Sequence, residues 1–177
     1  WIRGDCAIVI ILDGENAAYF IPPDKSLEAM MNAEIAAAGD SEFFALGALT
    51  VSHDHRLMAH ATDHTGDERF ALTITDLGTG AVLDDAIRDI GYGVEFSRAG
   101  THVFYTRLDD AWRPHQLWRH RIGSDPAEDV LVHQEDDERF WMGIGSSRDE
   151  RWLVHSLGSK TTSEVRLLDS ASPEGQW

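Results

Sequence analysis

Cysteine occurs once in 177 residues, at Cys6, so no internal disulfide can form and no zinc site can use more than one thiolate. A single thiol favours a reducing compartment, and a cytoplasmic location is expected. Basic residues are scarce: 15 Lys and Arg stand against 31 Asp and Glu, for a formal charge of −16. That excess disfavours nucleic acid, whose phosphates need cationic partners to release their counterions. It suits a cationic partner, or keeps the chain soluble. Long apolar runs are also missing. The run Ala7–Leu12 is far too short to cross a bilayer, and it lacks the small-residue cleavage pattern of a secretory signal. No membrane partner is expected. The first residue is Trp1 rather than Met, which leaves room for an upstream start.

What is present is a globular composition, 42% apolar, in a chain long enough for one domain with a core or for part of a larger one. It also carries a repeat. The segments "ALTVSHDHRLMAHAT", "GVEFSRAGTHVFYTR" and "GIGSSRDERWLVHSL" share an apolar approach, a serine, a short polar turn and an alternating apolar run. Their serines, Ser52, Ser97 and Ser147, are 45 and 50 residues apart. A second set of landmarks, Leu72, Leu117 and Val165, keeps nearly the same step, 45 and 48.

Within each unit the pattern has period two. Leu57, Ala59 and Ala61 alternate with Met58, His60 and Thr62, and Val103 and Tyr105 alternate with Phe104 and Thr106. This predicts short antiparallel strands. Gly78–Gly80 and Gly123–Pro126 carry turn chemistry between them. About four strands per unit at this period predicts β-propeller blades, near 40–88, 91–134 and 138–177. The fold class is all-β, a partial propeller preceded by a separate segment, 1–39.

Histidines crowd the first unit: His53, His55, His60 and His64, with Asp54 and Asp63 among them. A metal site needs a second group to fix its geometry, and the equivalent turns of the other units, from Ser97 and from Ser147, contain no histidine. These residues therefore read as a solvated turn, in which His55 takes the position that Gly100 occupies in the second unit.

Several stretches resemble a known family. "AAAGDSEFFALGALTVSHDHRLMA", "YTRLDDAWRPHQLWRHRIGS", "EDDERFW" and "GSKTTSEVRLLD" resemble the N-terminal propeller of the oligopeptidase B group, within the prolyl oligopeptidase family of serine peptidases. The resemblance runs from about Met31 to Trp177. It implies a seven-bladed propeller that caps an α/β-hydrolase domain, admits short peptides and serves cleavage after Arg or Lys. It implies two partners, the C-terminal α/β-hydrolase catalytic domain and short basic peptides. In the family the catalytic Ser, Asp and His belong to the hydrolase domain. This chain has no G-x-S-x-G elbow: in Gly143–Ser147 the serine comes one place late and no glycine closes the motif. No catalytic, cofactor-binding or metal-binding residue is assigned, and the chain alone is expected to be inactive. The alternative reading is a stand-alone propeller-type interaction module. Three blades cannot close a ring, so exposed strand edges and inter-blade faces are also expected.

Residues 1–27 depart from that pattern. "AIVIILDGENAAYFIPPD" bears a short resemblance, over residues 8–24, to family 57 glycoside hydrolases, which implies an acid/base role for Asp13. One carboxylate cannot complete glycoside hydrolysis, and no partner motif is present. A buried strand over Ile8–Leu12 followed by a turn is the plainer reading. Ser26–Ala38 has helix-forming composition, with Ser26 as cap and Gly39 as stop.

Three further groups stand out. Trp112, Trp118, Trp141 and Trp152 are expected to fill space between blades. Glu135–Glu138 reads as a solvated inter-blade loop that could also attract a cationic peptide. Asp109 and Asp110, with Arg113 and His115, lie in an inserted hairpin loop that could meet a catalytic domain.

Overall fold

The computed structural model describes residues 43–177 in full; before them it describes the backbone pairing of three strands. These are β1 (Ile2–Arg3), β2 (Cys6–Leu12) and β3 (Asn16–Ile21), an antiparallel sheet in the order β1-β2-β3. The apolar run Ala7–Leu12 is thus a strand. Asp13 and the expected helix over Ser26–Ala38 lie outside the described residues.

The rest is all-β. Strands β4 (Ala45–Val51), β5 (Leu57–Asp63), β6 (Phe70–Asp76), β7 (Val82–Phe96), β8 (His102–Leu108), β9 (Pro114–Arg121) and β10 (Val130–Gln134) follow one another as antiparallel neighbours in a single curled sheet. A second sheet holds β11 (Trp141–Ser146), β12 (Trp152–Gly158) and β13 (Ser163–Asp169). Among the described residues the helical content is a single 3-10 turn, Pro126–Glu128, capped by the Asp125 carboxylate. The architecture is that of a partial propeller.

The long strand β7 organises the first sheet. Its first half pairs with β6 (Leu72↔Ile87, Ile74↔Asp84) and its second half with β8 (Val94↔Tyr105, Phe96↔Val103). Two four-strand groups, β4-β5-β6-β7 and β7-β8-β9-β10, therefore share one unbroken backbone. The register slips between Ile90 and Val94, where the strand changes partner. Asp89 sits at φ +58° beside this slip. Gly91 lies within it, and a Cβ there would come within 2.8 Å of Leu108 Cδ2 and 3.0 Å of Thr106 Oγ1. A side chain there would have to displace Leu108 and Thr106, and glycine avoids that.

Three sheet layers create two cores. The first holds Ala59, Ala61, Leu72, Ile74, Ile87, Val94, Val103 and Tyr105. The second holds Phe104, Leu117, Met142, Leu153, Leu157 and Leu168. Strand β8 explains both: side chains alternate across a strand, so Val103 and Tyr105 enter one core and Phe104 enters the other. Five consecutive residues, His102–Thr106, are buried because both faces of the middle layer are covered.

Candidate access cleft

Three strands, β4, the second half of β7, and β11, each begin a four- or three-strand group, and each ends in the same turn. Ser52, Ser97 and Ser147 close these turns with identical bonds. Each serine N–H donates to the carbonyl five residues on, of Leu57, His102 or Trp152 (2.8–2.9 Å). Each hydroxyl accepts the N–H of that same residue (2.9–3.1 Å). The residue three after each serine, His55, Gly100 or Glu150, donates back to the serine carbonyl with φ of +59°, +63° or +57°. Asp54 and Asp149 add a carboxylate that accepts from Ser52 and Ser147.

These turns converge on a shallow cleft lined by Val51, His53, Glu95, Phe96, Arg98 and Glu150. His53 Nδ1 and Glu150 Oε2 are in direct contact, joining the first turn to the third. The turns are further tied by Arg98 N–H to the Ser170 carbonyl (2.9 Å) and by the Ser170 hydroxyl to the Glu150 carbonyl (2.6 Å). The cleft is therefore polar, with two carboxylates, an imidazole and a guanidinium at a point where three strand groups meet.

The opposite end of the strands differs in chemistry. Phe43, Tyr92, Trp112 and Trp141, each 43–57% exposed, lie at the starts of β4 and β11, at the β7 partner switch and in the β8–β9 loop. Two loops are locked together there: the Trp112 indole N–H donates to the Asp67 carbonyl (2.8 Å), and Arg69 donates to the Asp109 carbonyl (3.2 Å). Asp63 organises the first of them. Burial raises its carboxyl pKa, but N–H groups of Thr65, Glu68 and Gly66 and the Thr65 hydroxyl outweigh burial and hold it below its usual range.

The first-unit histidines do not converge. His53 and His55 are in the Ser52 turn, His60 is within β5, and His64 is in the loop after it, its ring edge-on to Phe44 at 5.4 Å. The tryptophan expectation needs correction. Trp118 does fill the first core, with Arg107 stacked 4.8 Å from its ring, but Trp112, Trp141 and Trp152 are exposed. Trp112 caps a turn at φ +57°, and Trp141 and Trp152 sit on the face of β11-β12-β13 turned away from the second core.

Two candidates weighed separately prove to be one structure. Arg113 is buried, bonded to Asp109 (2.9 Å), and its Nη1 donates to the carbonyls of Glu135, Asp137 and Phe140 (3.1–3.2 Å). The inserted loop thus clasps the acidic connection between β10 and β11. Asp137 is spoken for as well: Arg139 holds its carboxyl down to about 2. Of the serines in Gly143–Ser147, Ser146 ends β11 and Ser147 serves its turn.

Sequence reasoning missed a buried network. Asp129 accepts from the Tyr105 hydroxyl (2.8 Å) and bonds His120 Nδ1 (2.6 Å), while His120 Nε2 faces Asp84 at 3.4 Å. Asp84 also accepts the Gly123 N–H (2.9 Å). Burial, and then the bond to Asp129, push the Tyr105 phenol far above its usual range. The only signal in the sequence was polar residues at core-facing strand positions, which period alone cannot tell from surface ones.

Comparison with known proteins agrees with this architecture. Residues 26–177 match the prolyl oligopeptidase N-terminal β-propeller domain. Protease 2 of Moraxella lacunata is 36% identical over 138 residues, 77% of this chain and 20% of that protein. Dipeptidyl aminopeptidase BI of Pseudoxanthomonas mexicana is 31% identical over 147 residues, 82% of this chain and 20% of its own. The oligopeptidase B of Trypanosoma brucei, solved with covalently bound antipain, superposes with a TM-score of 0.68 at 27% identity, covering 85% of this chain and 22% of that one. The chain spans about one fifth of the length of these curated relatives. A propeller match over most of the chain, on an all-β structure of a curled antiparallel sheet and a second sheet, places this protein in the prolyl oligopeptidase family, within its N-terminal β-propeller domain.

Proposed function

We propose that the chain is the substrate-gating portion of an oligopeptidase B-like serine endopeptidase that cleaves short peptides after Arg or Lys in the cytoplasm. The hydrolysis belongs to an α/β-hydrolase domain of the same polypeptide. The propeller unit begins near residue 40, and residues 1–39 form a segment distinct from it. The observation that carries this reading is the family match over residues 26–177, with Protease 2 among the relatives. The cleft supports it: carboxylates of Glu95 and Glu150 lie where three strand groups converge, in a chain of charge −16, and such a field draws cationic peptides inward. The exposed aromatics at the other end, Phe43, Tyr92, Trp112 and Trp141, suit a docked protein domain, since interfaces favour aromatics.

The test is a chimera in which residues 26–177 replace the matching portion of Moraxella Protease 2. Short Arg-containing peptides should be cleaved and a folded protein should not. Rates on the basic peptide should fall several-fold from low to high salt, as screening shortens the field. Equal cleavage of folded protein would reject the gate, and salt-independent uptake would reject the steering.

A further inference from the structure

Two imidazoles meet in the seam between the second and third layers, beside its apolar core. His155, in the middle of β12, is 1% exposed among Leu153, Leu157 and Phe104's core. His133, on β10, meets it across the seam, with Nδ1 of His133 2.8 Å from Nε2 of His155 and the rings edge-on at 5.0 Å. His155 Nδ1 lies 3.2 Å from the Gly143 carbonyl. Trp177 closes the pocket, edge-on to His155 at 5.8 Å and to Phe104 at 5.7 Å.

The hydrogen bonds fix the protons. A carbonyl only accepts, so His155 Nδ1 carries hydrogen and, in the neutral ring, its Nε2 is the acceptor. His133 Nδ1 must then donate, which leaves His133 Nε2 as the open lone pair. A first proton entering at His133 Nε2 preserves the bond between the rings. A second proton, at His155 Nε2, sets N–H against N–H and breaks it.

We propose that the His133–His155 pair is an acid-released latch holding the β11-β12-β13 sheet against the preceding layer. The charged groups facing it are few: Arg166, directly opposite His155 on β13 and paired with Glu164 (2.5 Å), and Glu135 at the end of β10. Burial, then the neighbouring His133 and Arg166, against the Gly143 bond, push His155 down to about 4. Burial and Arg166 likewise lower His133. Both rings thus favour the neutral state in the closed seam. Their contribution is complete above about pH 6.5, the ordinary histidine value, and drains away as pH falls toward 4.

The proposal is independent of the peptidase reading. It is tested by hydrogen exchange of the 177-residue chain between pH 7 and pH 4.5, expressed as protection factors, with histidine ring nitrogen shifts recorded in parallel. The latch predicts that β11–β13 amides lose at least about tenfold more protection than β5 and β8 amides, a difference set by one or more pKa-linked protons. It also predicts the Nδ1–H form of both rings at neutral pH. In His133→Gln, whose amide can still donate but cannot titrate, the acid loss should shrink. Equal loss in all strands, or His155 titrating near 6.5 with the seam still protected, would overturn the latch.

Discussion

Arg113 Nη1 lies 3.1 Å from the Phe140 carbonyl, across the connection that separates the two sheets. The same nitrogen serves Glu135 and Asp137, and the guanidinium Nε serves Asp109. One planar cation therefore neutralises a carboxylate and satisfies three carbonyls in a buried spot.

Removing the Arg113 side chain takes its donors from the three carbonyls and its cation from Asp109, which keeps only the N–H groups of Ala111 and residue 113. Arg113→Ala should cost about 3 kcal/mol, in the range for breaking a buried pair. Arg113→Lys should recover little, because a point donor cannot reach four acceptors in one plane. Urea denaturation of each variant measures both.

The turn position after each serine predicts opposite signs at two sites. His55 holds φ +59° and Gly100 holds φ +63°. His55→Gly should relieve the left-handed penalty and stabilise by about 0.5 kcal/mol net of glycine's unfolded-state entropy. Gly100→Ala should destabilise by about 1 kcal/mol. Comparing the two by chemical denaturation checks the shared geometry.

Tyr105 and Asp129 can be separated by a single atom. Tyr105→Phe removes the hydroxyl yet keeps the ring, leaving Asp129 with His120. A loss of about 1.5–3 kcal/mol is expected, as for a hydrogen bond to a charged group. Thermal or urea unfolding gives the value.

The outer face of β11-β12-β13 shows Trp141, Trp152, Val165 and Leu167, between 37 and 59% exposed, with Gly145 and Gly158 leaving open space beside them. An apolar sheet face of this kind seeks cover. The chain by itself should self-associate, and Val165→Lys with Leu167→Glu should weaken association about tenfold or more, roughly 1.4 kcal/mol. Sedimentation of the two forms decides it; a compact, cooperatively unfolding wild-type monomer would count against the prediction.

The repeat was legible in the sequence because each turn uses a serine hydroxyl in the same way. Ser52, Ser97 and Ser147 are spaced by the fold, and the alternation around them records which strand faces are covered. The tryptophans were not legible, because a strand's period says which residues share a face but not whether another layer covers it. Trp118 meets the first core, whereas Trp141 and Trp152 face outward on strands of equal apolarity. The same gap hid the link between Asp109, Arg113 and the Glu135–Glu138 loop. Their 22–27-residue separation carries no local pattern, and only the packed layers bring them together.

Strand β7 has one more consequence. Because the first two strand groups share a single backbone from Val82 to Phe96, no loop separates them: inserting or deleting a residue outside the slip at Ile90–Val94 would turn the side chains beyond it to the wrong face. The next junction has a six-residue connection, 135–140, between β10 and β11, fastened chiefly by one guanidinium. Movement between neighbouring layers should therefore concentrate at the second junction, with Arg113 as its clasp.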